Sequence, residues 1–388
     1  MCHTTRRIAL FFGFTFLLAV LSNTLQAQTE TVIYDIGGYP LSGVTLGTQG
    51  TIYGTTPYGG AHSGGEVYRL ERSNGTWAFS RLYSFGYMDQ DGSNPYASVV
   101  FGPDGLLYGT TSADGAYGGG TVFSLRPPAS RTCGTAQCSW IETTLFNFSG
   151  GADGGYPGYG NLVFDQDGNM YGTTYSGGSS GGGVVFKLTR SGSGWAESVI
   201  WNFGNGSGYD PISGVIFDSA GNLYGTTPGS VYELSPTQSG WTETTLSAEV
   251  GGYGGLTFDT HGNLFGITGS GPQGGNAEVY ELTPQNGSWS LSMLENFGDQ
   301  YFGPAAAPTF DARGNLYGPL PNTTTNPAGE IFKLAPSGNQ WIYSSYYQFT
   351  GGSGGNMPVG AVTFDASGNM YGTTIGEGGH AVVWEITP

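Results

Sequence analysis

Basic residues are scarce in this chain of 388 residues. Lysine and arginine together number 11 against 28 aspartates and glutamates, which gives a formal net charge of −17 at pH 7. Lysine occurs only at Lys187 and Lys333. A surface of this charge repels phosphate backbones and anionic lipid headgroups. We therefore expect no nucleic-acid partner; cations or neutral polymers fit this charge better.

Cysteine is scarce as well, with three residues in the chain. Cys2 falls in the N-terminal leader described below, which leaves Cys133 and Cys138. An even pair of cysteines in an exported chain is typical of a disulfide, and no flanking histidine is present to complete a set of metal ligands. We predict a disulfide between Cys133 and Cys138, and no metal site.

The chain lacks the local motifs that mark most catalytic and nucleotide-binding sites. It contains no Gly-x-Ser-x-Gly elbow between a strand and a helix, no His-Glu-x-x-His zinc motif and no phosphate-binding loop. We expect no cofactor. Paired carboxylates for glycoside cleavage can come from distant segments and leave no local signature, so a polysaccharide-active enzyme stays an open alternative.

Long apolar runs are absent after residue 28. Arg6 and Arg7 precede an apolar run over residues 8–21, and a polar stretch follows over 22–28. This order is typical of a secretory signal peptide, and the run is shorter than the ~20 residues that span a bilayer. We predict a signal peptide over residues 1–28 and a secreted or cell-envelope protein without a membrane span in its mature part.

Glycine and aromatic residues are abundant, with 72 Gly, 25 Tyr, 22 Phe and 8 Trp. The aromatic content argues against disorder, because these side chains drive folding. The tract Gly-Asn-Leu-Tyr-Gly-Thr-Thr, or a close variant, recurs seven times. Its aromatic residue falls at Tyr53, Tyr108, Tyr171, Tyr224, Phe265, Tyr317 and Tyr371. A period near 50 residues built from short β-type segments is typical of propeller blades.

One unit of the repeat, residues 157–204, contains four short β-type segments separated by turn residues. The fourth segment opens with a tryptophan in six units, and residues 30–36 resemble residues 197–203 closely enough to supply the fourth segment of the seventh. We predict an all-β, seven-bladed β-propeller over residues 29–388, with four-stranded antiparallel blades and a last blade that the N-terminal strand closes. We expect it to be a monomer.

The Tyr-Gly-Thr-Thr, Gly-Gly-x-Val-Phe-x-Leu and Leu-Tyr-x-Phe patterns resemble those of the GloVer tandem-repeat family of exported bacterial proteins. The Asp-x-x-Gly-Asn-φ-Tyr turn is also similar to propeller repeats of the NHL type. This resemblance covers essentially all of residues 29–388. It implies a bacterial surface or secreted protein of unassigned activity.

Two repeated features invite a functional interpretation. Five units carry an aspartate in the first turn, which has oxygen ligands suited to Ca²⁺ but lacks the later bidentate glutamate of a calcium loop. These are Asp165, Asp218, Asp259, Asp311 and Asp365. We favour a turn-capping role for these aspartates and a packing role for the repeated tryptophans, with Ca²⁺ binding and sugar stacking as the respective alternatives.

The variable residues fall in the loops between second and third strands and in the connections between blades, which share one rim of a propeller. The candidate ligand-binding residues there are Tyr58, His62, Asp91, Asn94, Tyr117, Asp153, Tyr156, Tyr175, Tyr209, Asp210, Asn356 and His380. His62 and His380 occupy the same loop type in neighbouring blades. We predict a binding module for carbohydrate or a surface protein. A lyase or glycosidase, and a purely structural envelope protein, are the alternatives.

Overall fold

A computed structural model describes residues 28–87, 90–128, 140–204, 208–252, 254–268, 277–298, 306–323, 326–376 and 381–388. Within this part of the chain, 28 strands form seven separate four-stranded sheets. The predicted seven-bladed propeller with antiparallel blades is therefore confirmed. The predicted signal sequence, Cys133, Cys138 and His380 lie outside the described residues.

The strands follow one another along each blade in sequence order, apart from the first strand of the chain, β1 (Thr29–Asp35). Blades 1 and 2 consist of β2 (Thr45–Leu46), β3 (Ile52–Thr56), β4 (Glu66–Ser73), β5 (Thr76–Ser84), β6 (Val100–Phe101), β7 (Leu107–Thr111), β8 (Thr121–Arg126) and β9 (Ile141–Asn147). Blades 3 and 4 consist of β10 (Val163–Phe164), β11 (Met170–Thr174), β12 (Val184–Ser191), β13 (Gly194–Asn202), β14 (Ile216–Phe217), β15 (Leu223–Thr227), β16 (Ser230–Thr237) and β17 (Gly240–Ser247).

The remaining blades have the same layout. Blades 5 and 6 consist of β18 (Thr257–Phe258), β19 (Leu264–Thr268), β20 (Glu278–Gln285), β21 (Ser288–Asn296), β22 (Thr309–Phe310), β23 (Leu316–Leu320), β24 (Glu330–Ser337) and β25 (Gln340–Gln348). Blade 7 consists of β26 (Thr363–Phe364), β27 (Met370–Thr373), β28 (Val382–Thr387) and β1. None of the described residues forms a helix long and apolar enough to cross a membrane.

The repeated tract forms the second strand of each blade, and its glycine makes room for an aromatic ring. Gly172 pairs with Phe186 of the third strand, and a Cβ at Gly172 would lie 2.6 Å from the Cζ of that ring. The same pairing recurs in every blade: Gly54–Tyr68, Gly109–Phe123, Gly225–Tyr232, Gly266–Tyr280, Gly318–Phe332 and Gly372–Trp384. A ring covering a strand glycine excludes water from the backbone and fills the core of the blade.

Aromatic pairs join neighbouring blades. At six seams among the described residues, the aromatic residue of the second strand meets a phenylalanine of the next blade's first strand edge-on, with centroids 5.0–5.4 Å apart: Tyr53–Phe101, Tyr108–Phe164, Tyr171–Phe217, Tyr224–Phe258, Phe265–Phe310 and Tyr317–Phe364. Tryptophans add to four of these seams, as Trp241 does with Tyr171 at 6.4 Å. The tryptophans therefore pack in the scaffold, as the sequence indicated.

The seventh seam joins the two ends of the described chain. Strand β1 pairs antiparallel with β28, from Thr29 opposite Thr387 to Asp35 opposite Val382, so the predicted closure is confirmed. Leu46 stands here in the first strand where the other blades have phenylalanine. Ile33, with 7% of its surface exposed, packs in a cluster with Val44 of blade 1. The closing seam therefore lacks the edge-on aromatic pair of the other seams and combines aliphatic contacts with the stacked rings of Tyr34 and Phe79, whose centroids lie 4.9 Å apart.

The repeated aspartates cap their own turns. Asp165 Oδ1 accepts the backbone N–H groups of Asp167 and Asn169 at 3.0 and 2.9 Å, and Oδ2 accepts Asn169 Nδ2 and the Tyr171 hydroxyl at 2.7 and 2.9 Å. Burial alone would raise the pKa of Asp165, but these hydrogen bonds hold it below its usual range. Asp218, Asp259, Asp311 and Asp365 accept the corresponding bonds from their own turns. Three donors within each turn account for the aspartate at this position, and a tyrosine hydroxyl of the second strand adds a fourth in all of these turns except that of Asp259.

Candidate ligand-binding rim

The described loops between second and third strands and the described connections between blades lie at one end of the ring, which we call the loop rim. Backbone bridges join them, including Ser93 with Ala113 and Gly155 with Ser176. Together with Pro358–Thr374, these bridges hold three described connections against the loop of the blade that follows them. The rim is therefore hydrogen-bonded at these seams.

Four connections on the loop rim hold a non-glycine residue in the left-handed region immediately before a proline. Asn94, Tyr156, Asp210 and Met357 have φ values between 55° and 59°. Each donates its backbone N–H at 2.8 Å to a carbonyl of the preceding blade's loop: Gly64, Gly119, Gly182 and Ala328. Such a conformation costs about 1–2 kcal/mol per residue, and strain of this kind clusters at functional positions. We call these four residues the pre-proline positions.

Four tyrosines form an unbroken row across the rim from blade 1 to blade 3. Tyr58 and Tyr96 meet edge-on with centroids 6.1 Å apart and hydroxyl oxygens 2.8 Å apart. Tyr96 stacks on Tyr159 at 5.1 Å with 21° between the ring planes, and Tyr159 meets Tyr175 edge-on at 6.0 Å. Tyr58, Tyr159 and Tyr175 expose 46%, 40% and 39% of their surfaces. We call these four residues the tyrosine row.

The row ends at an acidic pre-proline position. Tyr175 and Asp210 share a side-chain hydrogen bond, and the Asp210 charge is the main cause that raises the pKa of the Tyr175 hydroxyl. Burial raises the pKa of Asp210, which the bond to Tyr175 partly opposes. The row thus combines exposed ring faces with hydroxyl and carboxylate groups that form hydrogen bonds.

Several other predicted residues surround the row as exposed side chains. Tyr117, Tyr156 and Tyr209 expose 70%, 48% and 60% of their surfaces. His62 is exposed and its ring lies 4.6 Å from that of Tyr87. These residues are distributed over the rim of blades 1 to 4.

The remaining predicted residues are engaged inside the rim. Asp91 is only 4% exposed, and its carboxylate accepts the Tyr83 hydroxyl at 2.9 Å and the Gly86 N–H at 3.3 Å. Asp153 accepts the N–H of Ser149 at 2.8 Å together with its hydroxyl. Asn94 donates its Nδ2 to the carbonyl of Pro57 at 2.8 Å. The Asn356 carbonyl accepts the N–H of Gly376 at 3.1 Å. These groups fix the loops that carry the exposed residues, and Asp91 is too buried to meet a ligand.

A cavity of about 360 Å³ runs along the propeller axis below the rim. All seven blades line it with the residues that precede and begin their first strands. Its described lining consists of glycine, alanine, serine, threonine and aliphatic residues, with Asn161 and Tyr159 as the two larger polar groups. The cavity is therefore a neutral site of a size suited to a small ligand.

The two carboxyl groups with the largest pKa shifts, Glu142 and Glu197, lie away from this cavity on outer strands. The pKa of Glu142 is raised to about 7, mainly by burial. A hydrogen bond from the Thr144 hydroxyl lowers this pKa, and the Asp91 charge raises it further. Burial raises the pKa of Glu197 to about 7 as well, with a further contribution from Asp153. Glu142 and Glu197 occupy the same register position in β9 and β13, opposite a leucine of the third strand. Their shifts therefore follow from a repeated environment.

The sequence did not single out Tyr96 and Tyr159, which form the middle of the tyrosine row. Both follow a proline of a blade connection, Pro95 and Pro157, and this was the available signal. Their contact joins two different connections, and such a contact has no local pattern. The structure therefore adds to the predicted set the residues that make it continuous.

The fold and the loop rim define a seven-bladed β-propeller with its variable surface at one end. The chain belongs to the Gloeobacter/Verrucomicrobia repeat family, whose repeat profile matches residues 13–157 and 130–304. Among curated proteins, none matches this chain.

Solved structures share the architecture at low sequence identity. The extracellular domain of a candidate hybrid two-component system protein from B. thetaiotaomicron has a TM-score of 0.53 and 10% identity, covering 92% of this chain and 40% of that one. A candidate 6-phosphogluconolactonase from Bacteroides uniformis has a TM-score of 0.52 and 14% identity, covering 86% of this chain and 89% of that one. At these identities the similarity shows the fold alone.

Proposed function

We propose that this protein is an exported recognition module that binds a neutral glycan along the tyrosine row. The observation that carries this proposal is the continuous contact of Tyr58, Tyr96, Tyr159 and Tyr175 across three blades. Half-exposed tyrosine rings offer apolar faces for stacking on sugar rings and hydroxyls for hydrogen bonds to sugar hydroxyls. An extended row suits an extended polymer.

Charge and rigidity support the same proposal. The net charge of −17 disfavours anionic polymers and leaves neutral ones as the better match. The pre-proline positions are held by backbone hydrogen bonds of 2.8 Å, so the rim meets its ligand with little ordering of the backbone. The predicted leader over residues 1–28 supports export.

The test is a retention assay of the mature chain, residues 29–388, on cellulose, xylan, mannan and chitin, with polygalacturonate as the anionic comparison. We expect retention on at least one neutral polymer. Tyr58→Ala and Tyr175→Ala should each weaken it by roughly two- to tenfold, the range expected for one aromatic contact. Tyr343→Ala is the matched control, because Tyr343 is 38% exposed on the outer strand β25, outside the loop rim.

Other results would point to other functions. Retention that is equal in the row variants and the control would contradict the proposal. Release of reducing ends from a retained polymer would favour the polysaccharide-active enzyme instead. Binding to a surface protein but to no glycan would favour protein recognition, for which tyrosine, serine and glycine loops are also suited.

A further inference from the structure

The tyrosine row and the axial cavity meet at one residue. Tyr159 stacks on Tyr96 at 5.1 Å in the row, and it also lines the axial cavity. Tyr159 as a whole exposes 40% of its surface. A ligand that follows the row therefore reaches the entrance of the cavity at Tyr159.

The cavity wall departs from the repeat at a single polar position. Asn161 stands two residues after Tyr159, and in the other six blades the corresponding position is small: Gly43, Ser98, Gly214, Gly255, Ala307 and Ala361. Packing inside a blade does not require asparagine at this position, since six blades are built without it. The amide therefore serves a purpose specific to blade 3.

The amide of Asn161 is held in place at one end and available at the other. Its Oδ1 accepts the Ser98 N–H at 2.9 Å, and the side chain is exposed to the cavity that it lines. Among the described residues, Nδ2 forms no hydrogen bond, which leaves two N–H donors for a ligand. A fixed donor beside an exposed ring is a suitable arrangement for one hydroxylated sugar ring.

The wall around this point is closed by backbone. A Cβ at Gly214 would lie 2.6 Å from the carbonyl oxygen of Asn161, so blades 3 and 4 leave no space between them there. A polymer lying on the row cannot continue sideways through such a wall. A chain that enters the cavity must therefore do so with its end.

We propose that the entrance of the axial cavity is a terminal subsite, which binds the end of a neutral sugar chain whose body lies on the tyrosine row. Tyr159 stacks on the terminal ring and Asn161 Nδ2 donates to one of its oxygens. This proposal rests on the proposed function and makes it more specific: the protein recognises chain ends, and internal segments of the polymer bind only to the row.

The test uses calorimetry with neutral hexasaccharides of the glucan, xylan, mannan and chitin series. Each is supplied with free ends, with a bulky fluorophore at the reducing end, and with a blocking group at the other end. We expect one of the two end modifications to weaken binding by about tenfold or more. Equal affinity for the free chain and for both modified chains would overturn the terminal subsite.

Substitutions at Asn161 separate a binding role from a structural one. Asn161→Asp keeps an oxygen to accept the Ser98 N–H and removes both N–H donors, whereas Asn161→Ser introduces the residue that blade 2 carries. We expect either variant to lower the affinity for free-ended hexasaccharides by about five- to tenfold, as for one lost hydrogen bond. Asn161→Asp should do so at unchanged thermal stability, whereas Asn161→Ser should also lower the Tm, because the buried Ser98 N–H loses its acceptor. Wild-type affinity in Asn161→Asp would refute the proposed donor.

The two levels of the proposal fail in different ways. If Tyr58→Ala weakens binding and neither the end modifications nor Asn161→Asp do, the row binds glycans and the terminal subsite is wrong. If the wild-type protein binds none of the hexasaccharides or polymers, both proposals are wrong. Competition by the matching monosaccharide at millimolar concentration is a further expected result, because the cavity alone accommodates one ring.

Discussion

The closing seam between blades 7 and 1 provides a sharp test of the architecture. Strand β1 is held to β28 by hydrogen bonds and to blade 1 by the cluster that contains Ile33. Replacing a buried isoleucine by alanine costs about 2–5 kcal/mol, because apolar contacts are lost and a cavity remains. Ile33 is 7% exposed, so we expect Ile33→Ala to lose ~2–4 kcal/mol of unfolding free energy.

The matched control lies on the same strand. Val32 is 37% exposed and points to the opposite face, so Val32→Ala should change the unfolding free energy by less than about 0.5 kcal/mol. Guanidinium unfolding followed by tryptophan fluorescence measures both variants. Limited proteolysis should also cut residues 28–44 faster in Ile33→Ala than in Ile200→Ala, which changes the corresponding position in the covalently continuous blade 3. Equal unfolding free energies for Ile33→Ala and Val32→Ala would refute the role of β1 as the closing strand.

Further predictions concern single side chains. The Tyr232 hydroxyl is buried without a hydrogen-bond partner among the described residues, so Tyr232→Phe should raise the unfolding free energy by about 1 kcal/mol. Tyr171→Phe removes the hydrogen bond to Asp165 in the capped turn and should lower the unfolding free energy by about as much. Urea unfolding measures both variants. Gly172→Ala should cost ~2 kcal/mol or more, because its Cβ would overlap the ring packed on it, and a fall in Tm below that of the wild type checks this. The folded-state pKa values of Glu142 and Glu197, about 7, exceed the ~4.3 of an unfolded glutamate, so the folded protein binds more protons between these values. Stability should therefore fall as the pH rises from about 4.5 to 7, by ~1 kcal/mol for each group after allowing for solvent screening, and an unchanged pH slope in the Glu142→Gln, Glu197→Gln double variant would contradict this.

The fold was predictable because each blade repeats the same short sequence motifs in the same order. The tract around Tyr171 fixes a strand, the capped turn that begins at Asp165 precedes it, and Trp195 opens the outer strand in the same order as in other units. The resemblance of residues 30–36 to residues 197–203 identified the strand that closes the ring. Periodicity of this kind is a property of the sequence itself, so it needs no knowledge of contacts between blades.

The candidate site was predictable only in part, because it depends on contacts between different connections. Strand order placed Tyr58 and Tyr175 on one rim, but nothing in the sequence indicates that Tyr96 and Tyr159 bridge the gap between them. Asp91 illustrates the opposite difficulty. It lies in a variable, polar connection, yet its carboxylate is buried against the Tyr83 hydroxyl. Loop composition indicates which residues are variable, and three-dimensional packing decides which of them face the solvent.

The pre-proline positions also have a consequence for redesign. Their backbone is fixed by an N–H to carbonyl bond and by the following proline, and the side chains of Asn94 and Asp210 add hydrogen bonds to Pro57 and Tyr175. The natural chain already uses an amide, a phenol, a carboxylate and a thioether at Asn94, Tyr156, Asp210 and Met357. Randomising these four codons, together with the exposed tyrosines beside them, would therefore vary the surface of the loop rim while the main-chain bonds that hold it stay in place.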